Sequence, residues 1–140
     1  MSTSIRRAEP SDVEAVTALL GDLGYQQTLG NVRRTLAMSS EADPVYVATD
    51  DGAVIGMLSL QITRWIQLEK PIARIPAMIV SANYQRRGIG RQLIMHALAH
   101  ARRLGCGTIE LTSGNEREDA HAFYRDMGFE QNSLRFKRTL

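Results

Sequence analysis

Residues 84–91 read YQRRGIGR and lie between an apolar run, Ile72 to Val80, and a helical pattern that begins at Gly88. Glycines in a strand-to-helix turn let the backbone approach a ligand closely, and the first helical turn leaves amide N–H groups unpaired. The helix dipole and the three arginines of this loop favour an anion there. The loop therefore predicts a site for a phosphate or a pyrophosphate, although its composition also fits a plain turn with a solvated arginine rim.

The pattern on both sides of this loop predicts alternating strands and helices. Apolar residues recur from Ile89 to Leu104 at helical spacing, which predicts one buried face on the helix after the loop. Pro76 cannot donate to a strand ladder, so it predicts a bulge or an edge position in the preceding strand. The predicted elements are strand Ser4–Ala8, helix Asp12–Leu23 with a capping box of Ser11 and Glu14, helix Asn31–Met38, strands Val45–Ala48, Val54–Trp65 and Ile72–Val80, the helix from Gly88 to Gly105, strand Thr108–Thr112, helix Glu116–Met127, and closing strands at Phe129 and Leu134–Lys137. This order predicts the α/β class, with a mixed sheet flanked by helices.

Composition narrows the classes of protein that this chain can be. With 140 residues, of which 44% are hydrophobic and 23% charged, we expect one globular domain over residues 1–140. No apolar run approaches the roughly 20 residues that span a bilayer, and residues 1–10 lack the apolar centre of a signal peptide. We therefore expect a cytoplasmic protein with no membrane partner.

Metal and nucleic-acid functions are not favoured by the sequence. The single cysteine, Cys106, cannot form an internal disulfide or a multi-cysteine metal site. His96 and His100 have a metal-capable spacing but no acidic neighbour, so we expect them on a solvated helix face and predict no metal. The net charge of +2 is too small to make nucleic acid a default partner, and the arginine loop lacks aromatic stacking partners.

Two well-known phosphate loops do not fit residues 84–91. A Walker loop needs a lysine and then a serine or threonine after its last glycine, and a dinucleotide fingerprint needs a third glycine where Leu93 stands. The loop instead resembles the cofactor loop of the GNAT superfamily of acetyl-CoA-dependent N-acetyltransferases. That pattern is Gln or Arg, two residues, Gly, any residue, then Gly or Ala, and Gln85, Gly88 and Gly90 match it.

The resemblance extends over nearly the whole chain. Further matches occur in the expected order, namely Ile5–Ala8 before a helix, Val54–Gly56 in a hairpin, Ala122–Tyr124 followed by Gly128 and Phe129, and a last strand Leu134–Leu140. That last strand is similar to the ending of the small, often dimeric, histone-acetyltransferase-like and aminoglycoside-acetyltransferase-like branches. The resemblance thus implies a GNAT-like fold with a mostly antiparallel central sheet, and a homodimer.

The resemblance also implies which residues hold acetyl-CoA. In this superfamily the strand before the loop splays from its neighbour and pairs with the pantetheine arm, as peptides do in strand addition. The matching positions here are Met78, Ile79 and Val80. Backbone amides of the loop would hold the pyrophosphate, and two later residues would contact the rest of the cofactor. The implied loop residues are Arg86, Arg87, Gly88, Ile89, Gly90 and Arg91, and the two later residues are Asn115 and Phe123.

Acetyl transfer to an amine needs a proton acceptor and a proton donor. An amine with a pKa near 10.4 is mostly protonated at pH 7, and a departing thiolate with a pKa near 8.5 benefits from a donor. The resemblance implies that Tyr124 is this acid and that a backbone N–H near Ile79 polarises the thioester carbonyl. A half-buried tyrosine that only packs in the cluster from Phe123 to Phe129 is the alternative for Tyr124.

The proton acceptor is less well defined. Many GNAT relatives carry a glutamate in the strand before the loop, and Pro76 stands in that place here. Glu110, in the next strand, is the substitute candidate, while a water relay and Glu69 are alternatives. An exposed glutamate with no catalytic role is an equal alternative for Glu110.

Two hypotheses of function follow. The first is an N-acetyltransferase that transfers the acetyl group of acetyl-CoA to a primary amine of a small molecule or a peptide. The second, motivated by the missing strand glutamate, is a non-catalytic acyl-CoA-binding or sensing module on the same fold.

Overall fold

Five strands form one sheet in chain order. The computed structural model describes residues 2–114 and 117–140. Neighbouring strands are antiparallel, except for the last two, which are parallel and are joined by a crossover helix, as a parallel pair requires. The strands are β1 (Thr3–Arg7), β2 (Val45–Asp50), β3 (Ala53–Thr63), β4 (Ile72–Val80) and β5 (Thr108–Leu111). The predicted mixed, mostly antiparallel sheet of the α/β class is confirmed.

Helices cover both faces of the sheet. Helices α1 (Val13–Leu23) and α2 (Leu29–Ala37) pack on one face through Val16, Leu19 and Val32, which meet Val47 and Met57 of the strands. The crossover helix α3 (Ile89–Arg103) packs on the other face. Its buried residues lie at the predicted helical spacing, namely Ile89, Leu93, Ile94, Ala97 and Ala101. The last helix, α4 (Glu118–Asp126), sends Phe123 and Tyr124 toward the same α3 core.

A bulge divides β4 into two halves. Ser59 of β3 pairs with Ala77, but Gln61 pairs with Arg74, so β4 has one extra residue between these pairs, in the segment that contains Pro76. The bulge predicted from Pro76 is therefore confirmed. The parallel pairing of β4 with β5 runs only from Ile72 to Ile75. Beyond the bulge, β4 is paired with β3 alone, and its other edge is open.

The predicted closing strands at Phe129 and Leu134–Lys137 are wrong. Residues 129–140 form no strand, and Leu134 and Phe136 are 82% and 90% exposed. The alternation of apolar side chains in this tail is that of a strand, but a strand also needs a neighbour to accept and donate its backbone hydrogen bonds. The described chain offers this tail no such pairing.

The helix start and one histidine also differ from expectation. Asp12, not Ser11, occupies the N-cap position of α1, and its carboxylate accepts hydrogen bonds from the Glu9 N–H at 2.7 Å and from Arg6 at 2.8 Å. The Arg6 guanidinium holds the pKa of Asp12 below its usual value. His100, expected on a solvated face, is 2% exposed.

His100 is buried because its two ring nitrogens both have partners. Nε2 donates to the carbonyl oxygen of Glu41 at 2.7 Å, so the proton lies on Nε2, and Nδ1 accepts from the Tyr46 hydroxyl at 2.9 Å. A buried polar ring with both nitrogens satisfied has a small desolvation cost. His100 is therefore part of the core that joins α3 to β2.

Candidate functional site

The open edge of β4 carries backbone groups without a strand neighbour. On the paired edge, the Ala77 N–H donates to Ser59 Oγ at 3.1 Å and the Ser81 N–H donates to Ile55 O at 2.8 Å. Alternate residues of a strand direct their N–H and C=O groups to opposite edges. The N–H groups of Met78 and Val80 therefore point to the open edge, whereas that of Ile79 points to β3.

The side chains of these three residues have structural roles as well. Met78 and Val80 pack against the α3 core, and Ile79 packs against the α1 and α2 core. This packing is compatible with the predicted cofactor contact, because packing uses the side chains and a ligand at the open edge would use the backbone. Pro76 belongs to the same alternation as Met78 and Val80, so its missing N–H takes no hydrogen bond from the ladder with β3.

The loop after β4 is held in a tight curve. A 3₁₀ turn, Ala82–Tyr84, leads into the loop, where Arg86 has φ +64° and Gly88 has φ +80°. Both angles lie in the left-handed region, which costs a non-glycine residue such as Arg86 energy. Backbone strain at a non-glycine residue is concentrated in functional loops, where the surrounding structure imposes it.

Because the loop curves tightly, the free amides at the start of α3 lie next to the open edge of β4. Gly88 is the N-cap of α3, and the first helical bond runs from the Gln92 N–H to the Gly88 carbonyl at 3.1 Å. The N–H groups of Ile89, Gly90 and Arg91 consequently have no acceptor within the helix. Together with the helix dipole, these amides make the start of α3 a candidate anion site, and its use by an anion stays a prediction.

Gln85 connects the loop to the strand. Its side-chain amide donates to the Val80 carbonyl at 3.2 Å, which is the last carbonyl on the open edge. The sequence identified Gln85 only as a motif position and gave it no role. Its hydrogen bond fixes the distance between the open edge of β4 and the start of α3.

Two of the loop arginines contact aromatic or sulfur partners. Arg87 lies over the Tyr84 ring, with its guanidinium carbon 5.2 Å from the ring centroid, and Arg91 reaches Met127 Sδ at 3.4 Å. Tyr84 is hydrogen-bonded to Asp50, which raises the pKa of Tyr84. These contacts anchor the loop to the β2–β3 turn on one side and to α4 on the other.

Phe123 brings α4 against the anion site. A Cβ built on Gly90 would lie 3.5 Å from Phe123 Cζ and 3.9 Å from Val80 Cγ2. Phe123, Gly90 and Val80 therefore meet at one point, where α4, α3 and the end of β4 converge. A side chain as small as alanine at position 90 would make ordinary contact with this ring.

Tyr124 is the next residue and is fixed by aromatic packing. Its ring lies 5.5 Å from that of Phe123 and 6.0 Å from that of Phe129. Burial raises the pKa of Tyr124, with a smaller opposing effect from Arg117. The phenol therefore keeps its proton at neutral pH, as a general acid must.

Glu110 has a partner that the sequence did not indicate. Its carboxylate is hydrogen-bonded to Arg74, the residue opposite it in the β4–β5 ladder, and Arg74 also donates to Thr112 Oγ1 at 3.1 Å. Since Ile109 and Leu111 pack toward α3, Glu110 lies on the face of α1 and α2. Both side chains of the pair are about one third exposed. Glu69, the other carboxylate considered, is exposed in the loop between β3 and β4.

Ser113 presents an unexplained polar atom near the divergence of β4 and β5. Its Oγ is buried and has no hydrogen-bond partner in the described part of the chain. Such an atom is costly unless a ligand or water satisfies it. Asn115, the predicted cofactor contact two residues further on, lies outside the described residues. No sequence signal distinguishes Ser113 from other loop serines.

Comparison with known proteins identifies the family. Residues 14–129 match the Acetyltransferase (GNAT) family. The chain belongs to this family. Its N-acetyltransferase relatives support an acetyltransferase enzyme, and no comparison favours the non-catalytic alternative.

Individual relatives and solved structures match almost the full chain. The aminoalkylphosphonate N-acetyltransferase of Salmonella typhimurium is 30% identical over 97% of this chain and 90% of its own length. The crystal structure of a transcriptional regulator from Bacillus halodurans is 25% identical, with a TM-score of 0.90 over 99% of this chain and 100% of that chain. A GNAT family acetyltransferase from Staphylococcus aureus has a TM-score of 0.82 over 100% of both chains at 23% identity, which shows the shared fold.

The GNAT family uses acetyl-CoA, and the residues of this chain fit such a ligand. An extended amide-containing arm can pair with the N–H groups of Met78 and Val80, and a pyrophosphate matches the free amides of α3. Within residues 2–114 and 117–140, no group of three or more His, Cys, Asp or Glu is arranged to hold a metal, and no helix is long and apolar enough to cross a membrane.

Proposed function

We propose that this GNAT enzyme transfers the acetyl group of acetyl-CoA to a primary amine of a small molecule. The observation that carries the proposal is the open edge of β4, which ends at a helix start with three free amides. One half of this arrangement suits an extended amide arm and the other half suits a diphosphate. Their junction at Val80, bridged by Gln85, matches a ligand that has both parts in sequence.

The chemistry requires two proton transfers. Acetyl-CoA supplies a thioester whose carbonyl carbon is attacked by the free amine, so that a C–N bond forms and the C–S bond breaks. The N–H of Met78, on the open edge, is the donor that we assign to the thioester carbonyl. Tyr124 donates its proton to the departing sulfur and regains one from solvent. Glu110 accepts the proton that the amine loses, directly or through water.

The acid role of Tyr124 is tested by Tyr124→Phe. Removal of the hydroxyl should lower kcat by at least about 100-fold, since general acids contribute roughly 10²–10⁴. Because burial raises the pKa of Tyr124, the midpoint of the alkaline loss of kcat in the unchanged enzyme should lie above the ordinary tyrosine value of 10.0. The Phe variant should lack this limb.

The measurement is CoA thiol release with acetyl-CoA and a panel of primary amines, beside calorimetric titration of CoA. Tyr25→Phe is the matched control, because Tyr25 is an exposed tyrosine between α1 and α2 and should leave kcat unchanged. Turnover that survives Tyr124→Phe would remove the acid role. CoA binding without turnover by any amine would favour the sensing module instead.

The relatives support a small acceptor. The Salmonella enzyme, by its name, acetylates an aminoalkylphosphonate, which is a small amine. We further propose that the enzyme acts in the cytoplasm as a homodimer without nucleic-acid or membrane partners. The exposed apolar residues of the tail, Leu134 and Phe136, support a dimer because they leave apolar surface to be covered. Light scattering of the full chain and of a chain ending at residue 132 tests this, since only the full chain should be dimeric.

A further inference from the structure

A cavity of about 190 Å³ lies between α1, α2 and the sheet. It is on the face opposite α3, beneath the segment that joins the first two helices. Apolar side chains form most of its wall, and neutral polar side chains complete it. The apolar residues are Val16, Leu20, Val32, Leu36, Val45, Met57 and Ala77, and the polar residues are Gln27, Asn31, Thr35 and Ser59.

None of the residues that line this cavity is charged. Arg33 and Arg34 belong to the same helix as Val32 and Leu36 but do not line it. A charged group inside an apolar cavity loses its hydration without gaining a counter-ion, which is strongly unfavourable. The wall therefore selects against a ligand that carries a second charge.

The wall of the cavity includes a residue that adjoins the open edge of β4. Ala77 forms part of its wall and directly precedes Met78, whose N–H faces the open edge of β4. Ser59 is the register partner of Ala77 in β3 and also lines the cavity. Its Oγ accepts the Ala77 N–H, so the hydroxyl proton of Ser59 is available to a ligand in the cavity.

We propose that this cavity holds the carbon skeleton of the acceptor, and that the acceptor is a monoamine with one uncharged aryl or branched alkyl group. The size supports this class, because an apolar cavity of about 150 Å³ holds one benzene molecule. The amine nitrogen then faces Met78 and the skeleton extends between α1 and α2. The inference rests on the proposed function, since it assumes that acetyl transfer occurs at the open edge of β4.

The first test compares acceptors that differ in charge. Phenethylamine and isoamylamine represent apolar monoamines, putrescine a dication, and 2-aminoethylphosphonate an amine with an anionic group. The kcat/KM values of the two apolar amines should exceed those of both charged acceptors at least tenfold. Equal or higher values for either charged acceptor would overturn the apolar-acceptor inference while the proposed acetyltransferase stands. No CoA binding and no acetylation of any amine would overturn both.

The second test alters the cavity. Leu36→Phe should fill it and lower the preference for phenethylamine over ethylamine at least tenfold. Met38→Phe is the matched control at the C-cap of the same helix, because Met38 is exposed and does not line the cavity, so this preference should stay unchanged. An unchanged preference in Leu36→Phe would overturn the inference.

A charge placed at the mouth gives an independent readout. Thr35 is exposed at the cavity wall, so Thr35→Asp should fold and place a carboxylate beside the skeleton of the acceptor. The ratio of kcat/KM for putrescine to that for phenethylamine should rise at least tenfold. A ratio that does not move would show that the acceptor lies elsewhere.

Discussion

The two halves of β4 use one strand for different purposes. From Ile72 to Arg74 the strand is paired with β3 on one edge and, as far as Ile75, with β5 on the other, and three of the four side chains from Ile72 to Ile75 are buried. From Ala77 to Val80 it is paired with β3 alone, and its side chains are half-buried. The backbone of the first half is satisfied within the sheet, whereas that of the second half has donors available to a ligand.

The difference between the two halves of β4 depends on Pro76 and on where the neighbouring strand β5 ends. Pro76 lies at the bulge, and β5 ends its pairing opposite Ile75. A proline at the first open position has no N–H to leave unpaired, so the strand can separate from β5 at little cost. A buried strand thereby gains an open edge, while its pairing with β3 resumes beyond the bulge. Three predictions, ranked by their effect on the free energy of unfolding, test this comparison.

The largest effect on the free energy of unfolding should distinguish Ile79 from Met78, two adjacent positions in the half of β4 that is paired with β3 alone. Ile79→Pro removes an N–H that points to β3 and so leaves a carbonyl oxygen of β3 without its donor. This loss should lower the free energy of unfolding by about 1–3 kcal/mol, and the lost packing of the isoleucine should lower it further. Met78→Pro removes an N–H on the open edge, so the ladder to β3 stays intact. It should instead weaken CoA binding at least tenfold, because both the donor and the room for an added strand are lost.

Urea unfolding and calorimetric titration of CoA measure the two quantities separately. Each variant serves as the control for the other, since both replace a half-buried apolar side chain by proline. Equal destabilisation by the two substitutions would show that the alternation of amides along β4 is not as described.

The sequence was sufficient for the features that depend on local chemistry. Pro76 predicted the bulge because a missing N–H is a property of the residue itself. The spacing of Ile89, Leu93 and Ala97 predicted the buried face of α3 because helical periodicity is also a local property of the sequence. The apolar spacing also predicted a helix beginning at Gly88, where the structure has φ +80°, a conformation that few other residues adopt at low cost.

Features that depend on distant partners could not be predicted. Arg74 and Glu110 are 36 residues apart and meet only because β4 and β5 pair in one register. His100 is buried because Tyr46 and Glu41, more than 50 residues earlier, satisfy its nitrogens. The amides of Met78 and Val80 face the open edge because of the register with β3, which periodicity alone does not set.

An intermediate effect should distinguish the two loop glycines. Gly88 has φ +80° and nothing within 4 Å of a built Cβ, so Gly88→Ala adds backbone strain of roughly 1–2 kcal/mol without a clash. The strained loop should also bind CoA less tightly. Gly90 is inside α3, and a Cβ there would make ordinary contact with Phe123, so Gly90→Ala should be neutral or stabilise by roughly 0.5–1 kcal/mol.

Thermal unfolding gives the signs, and CoA titration gives the affinities. The opposite signs are the informative result, because both variants add the same methyl group two residues apart. Destabilisation by Gly90→Ala as large as that by Gly88→Ala would indicate that room near Phe123, rather than backbone conformation, limits this loop.

The smallest effect on stability should be at the ion pair of Arg74 and Glu110, in the closed half of β4, which is the half paired with β5. Both side chains are about one third exposed, and such pairs contribute about 0–1 kcal/mol. Glu110→Gln should therefore change the free energy of unfolding by less than about 1 kcal/mol. If Glu110 accepts the proton of the amine, the same variant should lower kcat at neutral pH and regain part of it at higher pH, where more amine is already deprotonated.

Arg74→Gln separates structure from chemistry at this pair. It breaks the same ion pair and keeps the carboxylate, so its unfolding free energy should match that of Glu110→Gln while its kcat stays higher. Equal kcat losses in the two variants, with flat pH dependence, would assign the pair to the β4–β5 junction alone. The proton of the amine would then leave through water, and the closed half of β4 would have no part in the chemistry.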